Sequence, residues 1–172
     1  MAGVPQGEPD IEKVGRLHDA ARSSDQASIG YAISMLDDDD IRVRGEAFCT
    51  LILNRNDIAS HLKSALSHQS SNIRAFCALV LANRGDSDAA PRIVPLVGDP
   101  HPAVRSCALG SLGRLRHSDA AGRIRESLSD DNYEVRRSAL KAMLDLDLEI
   151  PLHIRRSLSS DSSLRGMLAG AR

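Results

Sequence analysis

The residues in this chain best suited to chemistry are arginines that return at a fixed interval. Arg44, Arg74, Arg105 and Arg136 each follow an aliphatic residue, lie 30, 31 and 31 residues apart, and are echoed by Arg165 near the C-terminus. A guanidinium is a planar fork of donors that can hold a carboxylate through two hydrogen bonds and still reach helix-end carbonyls.

A second set of cations recurs with the same period. His61, Arg92, Arg123 and His153 each stand one residue before the first aliphatic of a short amphipathic segment. Two positions later come Lys63, Val94, Arg125 and Arg155, with Arg156 adjacent. At about 100° per residue both columns flank an apolar helical stripe and stay partly exposed. Cations stacked at near-constant rise can grip an acidic segment of a partner protein, each contact adding little and the set adding specificity. The competing reading is that they solvate a helix edge while their stems cover apolar surface. Glu126 nearby and the lack of exposed aromatic anchors weigh on that side.

Other groups carry less. The run Asp37 to Asp40 can attract a hard cation, but the glycine and distant glutamate of a calcium loop are missing, and a solvated helix-capping turn is expected instead. Cys49, Cys77 and Cys107 lie far apart and form no C-x-x-C pair, so reduced thiols packed as small apolar groups are expected. No catalytic residue, metal or cofactor is assigned.

The elements that position these groups follow from the repeat. The segments beginning Val43-Arg44, Ile73-Arg74, Val104-Arg105 and Val135-Arg136 align without gaps, and Leu51, Leu81, Leu112 and Met143 follow eight residues after each leading aliphatic. In the third copy Val104, Cys107, Ala108, Leu112 and Leu115 form one stripe of an α-helix, designated A, and cannot form one face of a strand. A second helix, B, is marked by Leu62 and Leu66, Ile93 and Val97, Ile124 and Leu128, and Ile154 and Leu158.

The boundaries recur too. Asp40, Ser70, His101, Asn132 and Asp161 precede the A helices at one register, four of them good N-caps, with Pro102 suited to a first helical position. Asp57, Asp88, Asp119 and Glu149 precede the B helices, the aspartates as caps and all four as favourable charges at a positive helix end. Asn54, Asn83 and Gly85 are expected to stop A helices in the left-handed conformation.

The predicted fold is all-α: about five helical hairpins at 11–40, 41–70, 71–100, 101–131 and 132–161, with a closing helix at 162–172 and a flexible tail at 1–10. The first hairpin is degenerate, keeping Ile29, Ile33 and Leu36 but losing the A-helix arginine. No such unit buries its stripe alone, so stacking creates the core and 11–172 forms one domain.

Composition narrows the function. With 42% apolar residues but only two Phe, two Tyr and no Trp, the core must come from Leu, Ile, Val and Ala in closely packed helices. A net charge of -1 supplies no field for nucleic acid or an anionic membrane. The first ten residues lack a cationic leader and an apolar stretch, and the longest apolar run, Phe76 to Ala82, is too short to span a bilayer. A cytoplasmic monomer is expected.

These units resemble the HEAT-like repeats named after phycobilisome lyases, whose pattern is an aliphatic, an acidic turn, then Val-Arg and an Ala-rich helix. Here that is Leu128-Ser129-Asp130-Asp131-Asn132-Tyr133-Glu134-Val135-Arg136, and Leu36 through Asp37 to Asp40 to Val43-Arg44, over about residues 30–165. The resemblance implies a right-handed α-α superhelix, a HEAT-like α-solenoid, with B helices on its concave side. It also implies a structural role for Arg44, Arg74, Arg105 and Arg136 as inter-repeat contacts to turn acids such as Asp38, Asp99 and Asp130. His101 departs from the pattern, and Ser67 to Ser71 contain no acid, so Arg74 is expected to lack its local partner.

Within this class, deoxyhypusine hydroxylase draws iron ligands from His-Glu steps, and none of the six histidines here is followed by Glu. HEAT-like DNA glycosylases need a basic groove and aromatic residues, both scarce here. The resemblance therefore implies a non-catalytic scaffold or adaptor that binds another protein on its concave B-helix surface, where the cation columns point to an acidic segment of that partner. The alternative is a subunit of a bilin or tetrapyrrole lyase-like enzyme, with Arg92 and Arg123 holding propionates.

Overall fold

The computed structural model describes residues 11–159 and 162–168; the expected tail 1–10, the cap at Asp161 and the last four residues lie outside the described residues. Five pairs of helices follow one another: α1 (Ile11–Ala20) with α2 (Gln26–Ser34), α3 (Ile41–Leu53) with α4 (Ala59–Ala65), α5 (Ser71–Arg84) with α6 (Ala90–Ile93), α7 (Pro102–Arg114) with α8 (Ala121–Glu126), and α9 (Tyr133–Asp145) with α10 (Leu152–Ser159). A last helix, α11, spans Ser162–Leu168, and there is no strand among the described residues. The odd-numbered members of the pairs are the A helices. Successive ones stack directly on each other, α5 on α7 and α7 on α9, producing an all-α superhelix.

Local chemistry sets the A-helix starts. The Asp40 carboxylate accepts the Arg42 N–H at 2.8 Å, Ser70 Oγ accepts the Ile73 N–H at 3.4 Å, and Asn132 Oδ1 accepts the Glu134 and Val135 N–H groups at 2.9 and 3.3 Å. His101 caps nothing; Pro102 opens α7 without needing a cap for its absent N–H, and Asp99 accepts the His101 N–H at 2.9 Å.

The B helices are shorter than their periodicity implies. Turns of 3-10 helix follow α2 at Met35–Asp37, flank α6 at Ser87–Ala89 and Val94–Gly98, and flank α8 at Ser118–Ala120 and Ser127–Ser129. Pro95 has no N–H for a further α-helical bond, which accounts for the end of α6 at Ile93. Of the acids expected to cap B helices, Asp57 accepts the Ala59 N–H at 3.2 Å. Asp88 and Asp119 instead fall inside 3-10 turns, and neither α6 nor α8 receives a side-chain cap.

The stops also differ from expectation. Gly85 takes the left-handed conformation at φ 77°, but Asn54 is extended and Asn83 lies within α5, because the chain two residues later offers a glycine that makes the turn without steric cost. Arg116 and Asp147, 31 residues apart, adopt the same left-handed turn at φ 52° and 53°. All three turns close alike: the N–H groups of Asp86, His117 and Leu148 donate back to the carbonyls of Leu81, Leu112 and Met143 at 3.0, 3.1 and 2.9 Å.

The core is one continuous aliphatic cluster. Leu51, Leu81, Leu112 and Met143 are all fully buried, joined by Leu17, Ile29, Ile58, Leu62, Ile93, Leu109 and Ile124. Each such side chain contributes about 1.5–3 kcal/mol relative to leaving it in water. Small residues set the spacing between A helices. A Cβ on Gly113 would lie 3.0 Å from Ala142 Cα, so α7 and α9 approach at a distance that only glycine permits.

Candidate functional site

The periodic arginines divide into spent and unspent groups, and their hydrogen bonds separate the two. Arg74 donates from Nε and Nη2 to the two oxygens of Asp99 at 2.8 and 2.9 Å, and from Nη1 to the carbonyls of His68 and Gln69 at 2.8 and 2.7 Å. Arg105 repeats this with Asp130 at 2.8 and 2.9 Å and with the carbonyls of Asp99 and Pro100 at 3.0 and 3.3 Å. Each guanidinium thus clips its own turn by the carbonyls and the next turn by the carboxylate.

That geometry corrects the expectation for Arg74. The acid-free turn at Ser67 to Ser71 does not deprive it, because its carboxylate comes from Asp99, 25 residues later. Arg44 is the one affected. His68 stands where the next acid belongs, and Arg44 donates to the carbonyls of Asp38 and Asp39 at 2.6 and 3.1 Å, with no carboxylate bound among the described residues. Arg136 reaches the carbonyls of Asp130 and Asp131 at 2.9 and 3.0 Å and has a further partner, and Arg165 reaches that of Ser159 at 3.0 Å.

The ladder also extends where the sequence reading stopped it. Lys13, 31 residues before Arg44, donates to Asp38 at 2.7 Å and so fills the arginine's place in the first hairpin. The signal was present as a basic residue at the correct register, hidden by the change of type. A second fastener was missed altogether. Asn54 and Arg84 share one repeat position; Asn54 donates to the carbonyls of Ala20 and Ser23 at 2.9 and 2.7 Å, and Arg84 to those of Leu51, Asn54 and Asn56, the first and last at 3.2 and 2.9 Å. Each ties off the end of the preceding A helix.

Burial and pairing compete at the ladder carboxylates. Burial pushes the Asp99 carboxyl upward, but the Arg74 guanidinium and the His101 N–H outweigh it and hold the group below the usual carboxylate range. At Asp130 the Arg105 hydrogen bonds dominate and lower it likewise. Of the aspartate run, Asp38 and Asp40 are used in this way, Asp40 pairing with Arg42 at 2.6 Å, and Asp37 accepts from Asn72 at 2.8 Å. Burial raises the Cys77 thiol to about 12 and the Cys107 thiol to about 11, while Cys49 is exposed.

The B-helix cations contrast with the ladder. Arg92, Arg123 and Arg125 are exposed and make no hydrogen bond or ion pair among the described residues. His153 and Arg156 are exposed, and His61 is half-buried with Nδ1 3.5 Å from Ser60 Oγ. Lys63 is tied to Asp88 of the next unit, and Arg155 is half-buried and already has a partner. Lys63 and Arg92 border one depression of about 590 Å³ together with Asp57, Asp86 and Asp88, whereas Arg123 borders a separate one of about 300 Å³ beside Glu126 and Asp130. No helix among the described residues is long and apolar enough to cross a membrane.

A profile of HEAT repeats matches residues 59–144, half of the chain, and the chain belongs to the HEAT-repeat family. Its fold is similar to that of a chain in the complex of CpcE and CpcF of phycocyanin lyase from Nostoc sp. PCC7120, with a TM-score of 0.72 and 19% identity over 84% of this chain and 98% of that one. It is also similar to a designed armadillo repeat protein in complex with the peptide (KR)4, with a TM-score of 0.59 and 16% identity over 98% of this chain and 97% of the other. At these identities the likeness is one of fold. No curated protein matches the sequence.

Proposed function

We propose that this HEAT-repeat protein is a non-catalytic scaffold that holds a partner protein by an acidic segment laid along its B-helix surface. Arg92, Arg123 and Arg125 form the centre, with His61, His153 and Arg156 beside them and the engaged Lys63 and Arg155 at the margins. The observation that supports this reading is the difference between two kinds of arginine. Arg74 and Arg105 spend their donors on the protein itself, while Arg92, Arg123 and Arg125 hold theirs toward solvent. The two structures of similar fold are both complexes, one with a second protein and one with a basic peptide. Cations on this chain favour a partner of the opposite sign. The reading implies a monomer acting in the cytoplasm.

The test is binding of a fluorescent (Asp-Glu)4 peptide, followed by anisotropy at two salt concentrations. Binding that weakens with salt and disappears when Arg92, Arg123 and Arg125 are all changed to Glu supports the surface. Equal binding by the variant rejects it.

The fold likeness to the Nostoc chain favours a second reading, a subunit of a tetrapyrrole lyase-like enzyme in which Arg92 and Arg123 meet propionates. Stoichiometric binding of a bilin, seen as a shift of its absorption band, would favour that reading over the scaffold.

A further inference from the structure

The layer of A helices carries a groove that the B-helix cations do not explain. It crosses α5, α7 and α9, encloses about 570 Å³, and has Gly110 and Gly113 on its floor between Leu79 and Leu144. Gly113 is dictated by the approach of α9, but Gly110 is not: a Cβ there would meet nothing within 4 Å. The neighbouring units carry Leu79 and Lys141 at this register, so α7 alone lacks a side chain where both flanking helices have a long one. Glycine in a helix interior is disfavoured against alanine, and no packing contact requires it here. The result is a notch with half-buried leucines on either side.

Charge at the rim is unbalanced. Lys141 pairs with Asp145 at 2.5 Å and Arg116 with Asp147 at 3.4 Å. Arg114 lines the same groove, is exposed, and makes no hydrogen bond or ion pair among the described residues, which leaves one uncompensated positive charge beside the notch. A slot walled by Leu79 and Leu144 and rimmed by charged side chains, with one guanidinium of that rim left unpaired, fits a bulky apolar anchor joined to a carboxylate.

We propose that this groove seats a segment of a partner protein in which an aromatic or large aliphatic side chain fills the notch over Gly110, between Leu79 and Leu144, and an adjacent Asp or Glu pairs with Arg114. The site lies on the opposite helical layer from the B-helix cations and does not depend on them.

The experiment is a titration of the isotope-labelled full chain with the peptide acetyl-Gly-Ser-Phe-Asp-Ser-Gly-amide, following backbone amide resonances. Saturable shifts at Gly110, Gly113 and Leu144 are expected, with an affinity of about 0.1–1 mM for so short a ligand. Replacing Phe by Ala or Asp by Asn in the peptide should weaken binding about fivefold or more, in line with loss of an anchor or a charged hydrogen bond. Gly110→Leu, which fills the notch from within, should abolish the shifts, and Arg114→Glu should weaken them about tenfold. Gly110→Ala, which keeps the notch largely open, and the Arg92, Arg123 and Arg125 to Glu variant should both bind as the parent does. Shifts confined to the B helices, binding indifferent to Gly110→Leu, or no saturable shift would each overturn the assignment, and only the first would leave the acidic-segment reading supported.

Discussion

Arg105 and Asp130 form a two-pronged clasp between consecutive repeats, with Nε and Nη2 at 2.8 and 2.9 Å from the two carboxylate oxygens, while the carbonyl of the same aspartate receives Arg136. Asp130 is therefore a relay: its side chain faces back to one repeat and its backbone receives the next. Its Oδ1 also accepts the Asn132 N–H at 2.8 Å, which fixes the turn that starts α9.

Breaking this clasp should be expensive because both side chains are largely sheltered, at 18% and 16% exposure. Arg105→Ala is expected to lower unfolding stability by about 2–3 kcal/mol, between the loss of a charged hydrogen bond and that of a buried pair. Arg105→Lys should recover less than half, since an ammonium cannot bridge both oxygens and the carbonyls. Urea denaturation followed by circular dichroism reads the difference.

The same clasps make stability sensitive to acid. The folded carboxyl groups of Asp99 and Asp130 sit below their unfolded value. Their contribution is complete above the unfolded value near 4 and is lost as pH falls through the folded one. Chemical denaturation at successively lower pH should show stability falling below about pH 4, with a shallower decline in Asp99→Asn, whose neutral-pH stability is already reduced. An equally steep decline in that variant would exclude the clasp as the cause.

The acid-free turn offers a gain rather than a loss. His68 Nδ1 already accepts the Ser70 N–H at 3.0 Å, standing in for the turn bond that Asp38, Asp99 and Asp130 make elsewhere. His68→Asp keeps that bond and adds the carboxylate that Arg44 lacks, so stabilisation by about 0.5–1 kcal/mol is expected. Arg44→Ala in the His68→Asp background should remove the gain, which a double-mutant cycle measures.

Left-handed turns without glycine are a further reserve. Arg116 and Asp147 occupy the conformation that Gly85 takes in the preceding unit. Arg116→Gly and Asp147→Gly should each raise stability by up to about 1 kcal/mol by removing the Cβ clash. Gly85→Ala should cost about 1–2 kcal/mol although no atom lies within 4 Å of the added methyl, because the cost is in the backbone. Thermal melts of the three variants check sign and order.

Sequence alone was enough for the helical pairs, their period, the buried aliphatics and the caps at Asp40, Ser70 and Asn132, because each depends on spacing and residue type within about one helical turn. It also marked the arginines as a repeating device. Only the folded stack decided that Arg74 and Arg105 take their carboxylates from the following turn, that Lys13 stands in for the lost arginine, and that Arg44 rather than Arg74 goes without. The groove over Gly110 was equally hidden, since the missing side chain becomes a notch only when Leu79 and Leu144 from neighbouring repeats stand on either side. Such features arise between units 25 to 35 residues apart in the chain, where the rise and rotation of one repeat upon the next set the distances. Local residue preferences carry no record of that stacking geometry.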